Sequence, residues 1–430
     1  MERDIDGRVD PLNTREMVQT INELIHSSRL GPIRHEEFQG QSNKIFGFGE
    51  EQLSFVGNSY NIFGNVVSAA WHHRIDLFQT VSEKTFESRL ASLIREMKRS
   101  SCTLDQATLQ SLFNSLSDLP IEEWEMFQRL YGVQPLSGQP VQFGPFHIYQ
   151  WGQHNEIIRS RYQRRLDNLQ SGALQWEDIW HRVGEDDATL VSVQIRSRES
   201  TRALEVASEK FRQFERTIRF MIGRHLGHFD VGIFDYRKPE MFETVGFTST
   251  HASSRGQLTG ALQPLPINDE YFRNPSLGND VIWGILGLNE LTDMQRRILT
   301  AIEWGGKGAR DFDPAKAFVQ FMFGIESLLT FQGQGVLVTP SVASKIAEFT
   351  AFILGTDFES RQGYYSTLSR LYSKRSAIAH SGSSNVLPSD VQECFDVLRM
   401  LINNLLTSPE LREMQSVSKL REWVEHEKYS

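Results

Sequence analysis

The stretch Ala317-Phe-Val-Gln-Phe-Met-Phe-Gly-Ile-Glu-Ser-Leu-Leu329 decides the fold of the C-terminal third of this chain. Its apolar side chains recur every three or four positions, which predicts an amphipathic helix with one buried face: Phe318, Phe321, Met322, Ile325, Leu328 and Leu329. Asp313 followed by Pro314 supplies an N-cap and a first-turn proline for this helix. A helix with such a face needs neighbours that cover it.

The segments on either side supply those neighbours. A capping box, Thr292 with Gln295, predicts a helix that runs to about Arg310. Downstream, three further helices are expected, the last of them opened by a second capping box, Ser389 with Gln392: a helix from Thr339-Pro340 to Gly355, one from Glu359 to about His380 closed by Gly382, and one with its stripe from Val391 to Leu405. Five antiparallel helices with short loops predict an all-α bundle.

The upstream sequence has a mixed texture. Residues 1–75 show no clean period and are expected to be irregular, whereas 82–117 have helical spacing. The middle of the chain predicts strands and one long helix: a hairpin at 141–149, a strand at 187–196, a helix at 200–224, strands at 229–236 and 242–248, and a linker from 262 to 279. The predicted fold class is therefore mixed, an N-terminal α+β (or α/β) region followed by the C-terminal bundle.

Three regions follow from these patterns. We predict a helix-rich region at 1–135, an α/β middle region at 136–285 with a sensing or regulatory role, and a helical bundle at 286–430. The length of 430 residues is compatible with two or three domains.

Composition narrows the class of protein. The chain is 39% apolar with 28 Phe, and no apolar run reaches the roughly 18 residues that would span a bilayer. An acidic start without an apolar segment predicts no signal peptide, and two cysteines without a metal or disulfide pattern favour a reducing cytoplasm. The net charge of −9 argues against nonspecific coating of nucleic acid but allows a local basic cleft.

The helix at 359–380 carries the unusual chemistry. Arg375 falls in the middle of the apolar stripe formed by Leu368, Leu371 and Ile378, where desolvation costs several kcal/mol unless the charge is paired. A second face carries Tyr372, Ser376 and His380. On an ideal helix Arg375 and His380 diverge by about 140°, so they meet on one ligand only if the helix ends near His380 or a second subunit shares the cleft.

An arginine and a histidine suit cleavage of RNA by its own 2′-hydroxyl. His380 at a helix C-terminus can transfer a proton, and Arg375 can hold the phosphate as charge develops. No carboxylate cluster accompanies them, so neither a metal nor a cofactor is expected. The spacing alone is weak, and it also fits a structural Arg375 paired with Glu326 and a surface His380.

Three segments together resemble the Apea-like branch of the HEPN superfamily: 317–329, 344–355 and Leu371-Tyr-Ser-Lys-Arg-Ser-Ala-Ile-Ala-His-Ser-Gly382. That family has Arg, four to six residues and His late in a helix of a four- or five-helix bundle, and Arg375 and His380 match with a gap of four. The resemblance covers about 291–405. It implies a homodimer with a composite cleft and metal-independent endoribonuclease activity, often in toxin or anti-phage systems. Ser376 departs from the strongly polar residue that many members place after the arginine.

Two functions are therefore expected in competition. The first is a cytoplasmic endoribonuclease with catalytic Arg375 and His380, supported by Ser376, Tyr372 and Glu326. Its partners would be RNA, a second copy of the chain and an antitoxin or other regulatory protein, with no membrane. The second is a catalytically silent HEPN module that dimerises or binds a partner chain.

Several basic residues are candidate RNA contacts, either because they cluster near aromatic rings or because they lie near the expected cleft mouth: Lys374, Arg296, Arg297, Arg161, Arg164 and Arg165. A solvated helix face is the commoner outcome of such a charge run. Gly305-Gly-Lys-Gly308 lacks the spacing of a phosphate-binding loop and is expected inside a helix. His225, His228 and Asp230 are expected to serve capping and solvation rather than a metal.

Overall fold

A computed structural model provides the structure of the chain. It describes residues 13–32, 41–136, 138–158, 160–161, 188–236, 238, 240–259, 263–267, 270–330, 340–381 and 385–429. The chain forms two compact units, one of residues 1–126 with 194–208 and the other of residues 127–193 with 209–430. Both units are discontinuous in sequence.

In its described residues, the first unit contains five complete helices and a small sheet. Its helices are α1 (Thr14–Ser27), α2 (Asn58–His73), α3 (Ile75–Thr80), α4 (Glu83–Arg99) and α5 (Gln106–Ser117). The strands β1 (Arg29–Leu30), β2 (Asn43–Phe46) and β3 (Leu53–Val56) pair antiparallel in the order β1-β3-β2. Their shared apolar core includes Phe55, Phe63 and Phe86.

The described residues in the middle of the chain form two sheets and a long helix. One sheet has the order β4-β7-β6-β5, with strands at β4 (Glu122–Leu130), β5 (Val141–Phe143), β6 (Phe146–Gln150) and β7 (Thr189–Ser197). Helix α6 (Ser200–Ile222) follows β7 directly. The other sheet is an antiparallel hairpin of β8 (Glu240–Phe247) and β9 (Ala252–Thr259).

Helices predominate among the described residues from 279 onward. Helix α7 (Asn279–Leu286) is followed by α8 (Asp293–Gly308), α9 (Pro314–Leu329), α10 (Pro340–Leu354), α11 (Phe358–Ser381), α12 (Pro388–Thr407) and α13 (Val417–Glu427). The apolar stripe of α9 is fully buried, and its Phe321 stacks on Phe395 of α12 with ring centroids 4.3 Å apart. Helices α8, α11 and α12 all contact α9, which is therefore the central helix of this region.

The structure confirms the mixed fold class and the helical C-terminal region. It also confirms the helices expected at 82–117 and 200–224, the hairpin at 141–149 and the strand at 187–196. Thr292 caps α8 through a capping box with Gln295, and Asp313 caps α9 ahead of Pro314, both as predicted. Among the described residues, no helix has the length and apolar character needed to cross a membrane.

Three expectations about local structure were wrong, and one helix was not anticipated. Residues 13–32 and 41–75, the described part of the first 75, are not irregular, because α1, α2 and three strands lie there. The segment 229–236 forms isolated bridges rather than a strand. Helix α12 begins at Pro388, one residue before the predicted cap Ser389, and Asp390 rather than Gln392 accepts from the backbone at its start. The last helix, α13, was not expected at all.

The division into three regions stays a prediction. Its boundary between 285 and 286 lies inside the second compact unit.

Candidate functional site

Helices α9 and α11 position the candidate site. Leu368 and Leu371 of α11 are fully buried, and Arg375 follows them on the same helix face and contacts Glu326 of α9. On α9, Phe323 and Glu326 are three residues apart and therefore on adjacent positions of one face. The candidate arginine thus lies where two packed helices meet.

Glu326 and two aromatic rings hold Arg375. Its Nε lies 3.1 Å from Glu326 Oε1, and its Nη2 donates to Glu326 Oε2 at 3.4 Å. The Nε–Oε1 approach is an ion pair without hydrogen-bond alignment, since both atoms lack a hydrogen-bond partner in the described part of the chain. The guanidinium carbon lies 5.4 Å from the Phe323 ring centroid and 5.9 Å from that of Tyr372, which gives cation–π contacts.

Burial shifts the pKa values of Glu326 and Tyr372 in this cluster. The side chains of Arg375 and Glu326 are only 14% and 18% exposed. Burial raises the pKa of Glu326, and the nearby Arg375 guanidinium opposes that rise without cancelling it. Burial also raises the pKa of the Tyr372 hydroxyl, and the charge of the Glu326 carboxylate raises it further. The pairing of Arg375 with Glu326, which was one of the alternatives for an arginine on an apolar stripe, is therefore present.

His380 lies in the last turn of α11, one residue before the helix ends, and its side chain is exposed. Because α11 is continuous from Arg375 to His380, the two side chains leave the helix about 140° apart and about 7.5 Å apart along its axis. One copy of the chain therefore does not aim both side chains at the same atom. Ser376, the residue after the arginine, is half-buried on α11.

Asp390 ties the end of α11 to the start of α12. It accepts from Lys374 Nζ at 2.5 Å and from Arg370 Nη1 at 3.0 Å, and its Oδ2 also accepts from the backbone N–H of Leu387 at 3.0 Å. Burial raises the pKa of Asp390, but hydrogen bonds from Lys374 and the Leu387 backbone outweigh it and leave the pKa lowered. Lys374, a candidate RNA contact, is thus engaged in an ion pair.

The guanidinium of Arg297 is bound by other groups of the protein. It pairs with Asp293 at 3.1 Å and donates to the carbonyls of Ser327 and Thr330, both at 2.9 Å. Arg296 is exposed, and its Nη1 donates to the Leu291 carbonyl at 2.8 Å. Of the two, Arg296 keeps more of its guanidinium available to solvent.

The other basic patch is described only in part. Arg161 donates to the Tyr149 hydroxyl at 3.0 Å and lies over its ring at 5.9 Å. Arg164 and Arg165 lie outside the described residues, so their role as RNA contacts stays a prediction.

The remaining polar motifs have contacts of their own. His225 Nε2 lies 2.8 Å from the Asp311 carbonyl, and burial lowers the pKa of this imidazole. Asp230 pairs with Arg219 at 3.0 Å and Arg310 at 2.9 Å. Gly305 to Gly308 lie within α8, as predicted. Within the described ranges, no three His, Cys, Asp or Glu side chains form a metal-binding group.

Two residues of the site escaped the sequence analysis. Phe323 carries the Arg375 guanidinium on its ring, and its position three residues before Glu326 was the available signal. Asp390 was missed because its ion pairs join two helices across a loop, and only the N3 position of an acidic residue after Leu387-Pro388 pointed to it.

Comparison with known proteins identifies no relative of this chain. No family model matches it, and neither does any curated protein or any solved structure.

Proposed function

We propose that this protein is an endoribonuclease that cleaves RNA without a metal ion, with Arg375 binding the phosphate and His380 transferring a proton. The resemblance to the HEPN superfamily supports this assignment, and the same resemblance suggests a toxin or anti-phage role. In such a reaction the 2′-hydroxyl attacks the adjacent phosphorus. His380 removes the hydroxyl proton or protonates the leaving 5′-oxygen, and Arg375 stabilises the charge on the phosphoryl oxygens.

The observation that carries the proposal is the way in which Glu326 holds the Arg375 guanidinium. Glu326 engages its Nε and Nη2, which fixes the guanidinium on one side. An arginine fixed on one side by a carboxylate keeps a preorganised donor for an anion on the other side. The exposed His380 follows on the same helix and is free to contact an RNA backbone.

The divergence of the two side chains requires a second copy of the chain in this proposal. In a twofold dimer, Arg375 of one copy and His380 of the other can face one cleft, although they diverge within each copy. We therefore propose a homodimer in which each active site is shared.

A silent HEPN module is the second candidate, and the same ion pair favours it. Arg375 is mostly buried, and Glu326 satisfies much of its charge, which suffices to explain an arginine at an apolar position. In that case the contact between Arg375 and Glu326 is structural, and the helices serve association with a second copy or a partner chain.

Cleavage of RNA in EDTA separates the two candidates. Wild type is expected to cleave, and Arg375→Ala and His380→Ala are expected to lose about 100-fold or more in rate. Arg361→Ala is a matched control, because Arg361 also pairs with a glutamate, Glu427, and lies over a ring, Phe352. His426→Ala is the control for an exposed histidine in the last turn of a helix.

Cleavage by His380→Ala at the wild-type rate would remove His380 from the site. A folded dimer that cuts no RNA of any kind would support the silent module.

Mixing the two inactive variants tests the shared site. A dimer of Arg375→Ala with His380→Ala has one intact site if each site takes its arginine and histidine from different copies. Random mixing then restores about one quarter of wild-type activity. If each site lies within one copy, the mixture stays inactive, because every site lacks one of the two groups.

A further inference from the structure

An open cavity lies in the second unit between α6, α8 and the start of α9. Its volume is about 690 Å³, within the range of sites for small organic ligands. Neither Arg375 nor His380 lines it. Its chemistry is therefore separate from the proposed cleavage site.

Cations dominate the wall of the cavity. It is lined by Arg216, Arg219, Lys307, Arg310 and Lys316, compared with three carboxylates. Arg216 and Lys307 share a single glutamate, Glu303, with Lys307 Nζ 3.2 Å from its Oε1. Lys316 is 71% exposed, and its ion pair with Asp313 is long, at 3.9 Å. These three cations retain capacity for an anion.

Two of the lining carboxylates are already engaged by the protein. Asp313 Oδ1 accepts from the backbone of Ala315 at 2.9 Å as the cap of α9. Asp311 accepts from the Asp313 backbone at 3.0 Å and from Gln320 Nε2 at 3.0 Å. They therefore compete weakly for the cations, and the wall keeps its positive character.

Aromatic rings and an unused acceptor complete the cavity. Phe234 and Phe312 line it and are 42% and 39% exposed, although apolar side chains of this size are usually buried. Gln320 Oε1 is buried and accepts no hydrogen bond among the described residues. A ligand that fits must carry negative charge, a flat face for a ring and a hydrogen-bond donor.

We propose that this cavity binds a nucleotide. Its phosphates contact Arg216, Lys307 and Lys316, because these cations are the least neutralised. Its base lies against an exposed ring, since a base stacks on an aromatic face. Gln320 Oε1 accepts from an amino or hydroxyl group of the base or ribose.

Calorimetric titration of the full chain with ATP, at physiological salt and without divalent cation, tests the proposal. Wild type is expected to bind, and Lys316→Ala to bind roughly tenfold more weakly because a charge-assisted contact is lost. Lys419→Ala is the matched control, because Lys419 is also an exposed lysine paired with an acidic residue, Glu422, and it does not line the cavity. It is expected to leave ATP binding unchanged.

A second variant separates the base from the phosphates. Phe312→Ala is expected to weaken ATP binding but to leave binding of inorganic pyrophosphate unchanged, because pyrophosphate has no ring to stack. An equal loss for both probes would contradict the assignment of Phe312.

The proposal is overturned if wild type shows no heat and no rise in melting temperature with millimolar ATP. It is also overturned if Lys316→Ala and Lys419→Ala weaken binding equally, or if a short single-stranded RNA binds where ATP does not. None of these measurements depends on RNA cleavage, so their failure is distinct from failure of the proposed ribonuclease.

Discussion

At the scale of single residues, the pKa values of Glu326 and Asp390 are shifted in opposite directions, although burial raises both. Both carboxylates pair with a basic residue of α11, but Glu326 meets one guanidinium whereas Asp390 has two basic side chains and a backbone N–H. As a result the pKa of Glu326 is raised and that of Asp390 is lowered. The two residues therefore contribute to stability over different pH ranges and with opposite sign.

For Glu326, the charged form is the costly one in the folded chain. The folded pKa of Glu326 is above its unfolded pKa, so the ionised carboxylate destabilises the folded chain at neutral pH. This penalty disappears as the pH falls from the folded pKa to the unfolded pKa. We expect Glu326→Gln to change the melting temperature at pH 7 by less than about 3 °C, since the amide keeps the shape without the charge. The test is the melting temperature of wild type minus that of the variant from pH 7 to pH 4.

That difference is expected to shift in favour of wild type as the pH falls. A constant difference across the range would contradict the raised pKa. A large loss of stability in Glu326→Gln at pH 7 would show that the pair stabilises the fold more than desolvation costs.

For Asp390, the charged form is the favoured one. Its folded pKa is below its unfolded pKa, so its contribution is present above the unfolded value, near 3.8, and is lost as pH falls through the folded value. We expect Asp390→Asn to destabilise the chain by about 1 to 3 kcal/mol at pH 7, because Lys374 and Arg370 lose their shared partner. Chemical denaturation measures this loss in the free energy of unfolding. Glu422→Gln is the control, because it breaks the exposed ion pair of Glu422 with Lys419.

The Asn variant and wild type should converge in stability as the pH falls through the lowered folded pKa of Asp390, because Asp390 is then protonated in both states. Equal destabilisation by Glu422→Gln would show that an exposed lysine pair contributes as much to the free energy of unfolding. The ion pairs between α11 and α12 would then have no particular importance for stability.

At the scale of helices, close approach of α6 and α8 depends on a glycine. A Cβ on Gly306 would lie 2.2 Å from the Arg216 backbone carbonyl oxygen, and a backbone atom cannot move aside as a flexible side chain can. We expect Gly306→Ala to destabilise the chain by about 2 to 4 kcal/mol through forced separation of the helices. Denaturant titration gives the free energy of unfolding.

Gly363→Ala is the matched control, because Gly363 is also inside a helix, α11, and nothing lies within 4 Å of an added Cβ. It is expected to stabilise the chain by about 0.5 to 1 kcal/mol through helix propensity. If Gly306→Ala behaves like this control, α6 and α8 tolerate a wider spacing than the structure shows.

Local patterns in the sequence predicted many helices and strands, but most contacts between distant residues could not be predicted from them. Thr292 and Asp313 mark helix starts because a cap bonds only to its own first turn. The start of α12 was misplaced because Leu387 has no capping side chain, so Ser389 gave a stronger but incorrect signal. The Arg375–Glu326 pair was predictable because an arginine on an apolar stripe needs a partner. The cavity was not, since its walls come from three separate helices and loops.

At the scale of the whole molecule, the helical region includes elements far upstream in sequence. The ring of Phe220, on α6, lies 6.1 Å from that of Phe395 on α12, and Arg399 donates to the Tyr271 hydroxyl at 3.1 Å. Phe220 also lies against the Gly305 position of α8. The core around Phe395 is therefore built from both sides of residue 286.

This arrangement predicts the behaviour of fragments. A fragment of residues 286–430 lacks α6 and Tyr271, so Phe395, fully buried in the intact chain, becomes exposed to water on one side. Burying a phenylalanine side chain contributes about 1.5 to 3 kcal/mol, a large share of the stability of a small bundle. We expect this fragment to melt without a sharp transition and to bind a dye for exposed apolar surface, whereas the full chain melts with a sharp transition. A sharp transition of fragment 286–430 at the melting temperature of the full chain would show that the bundle folds without α6.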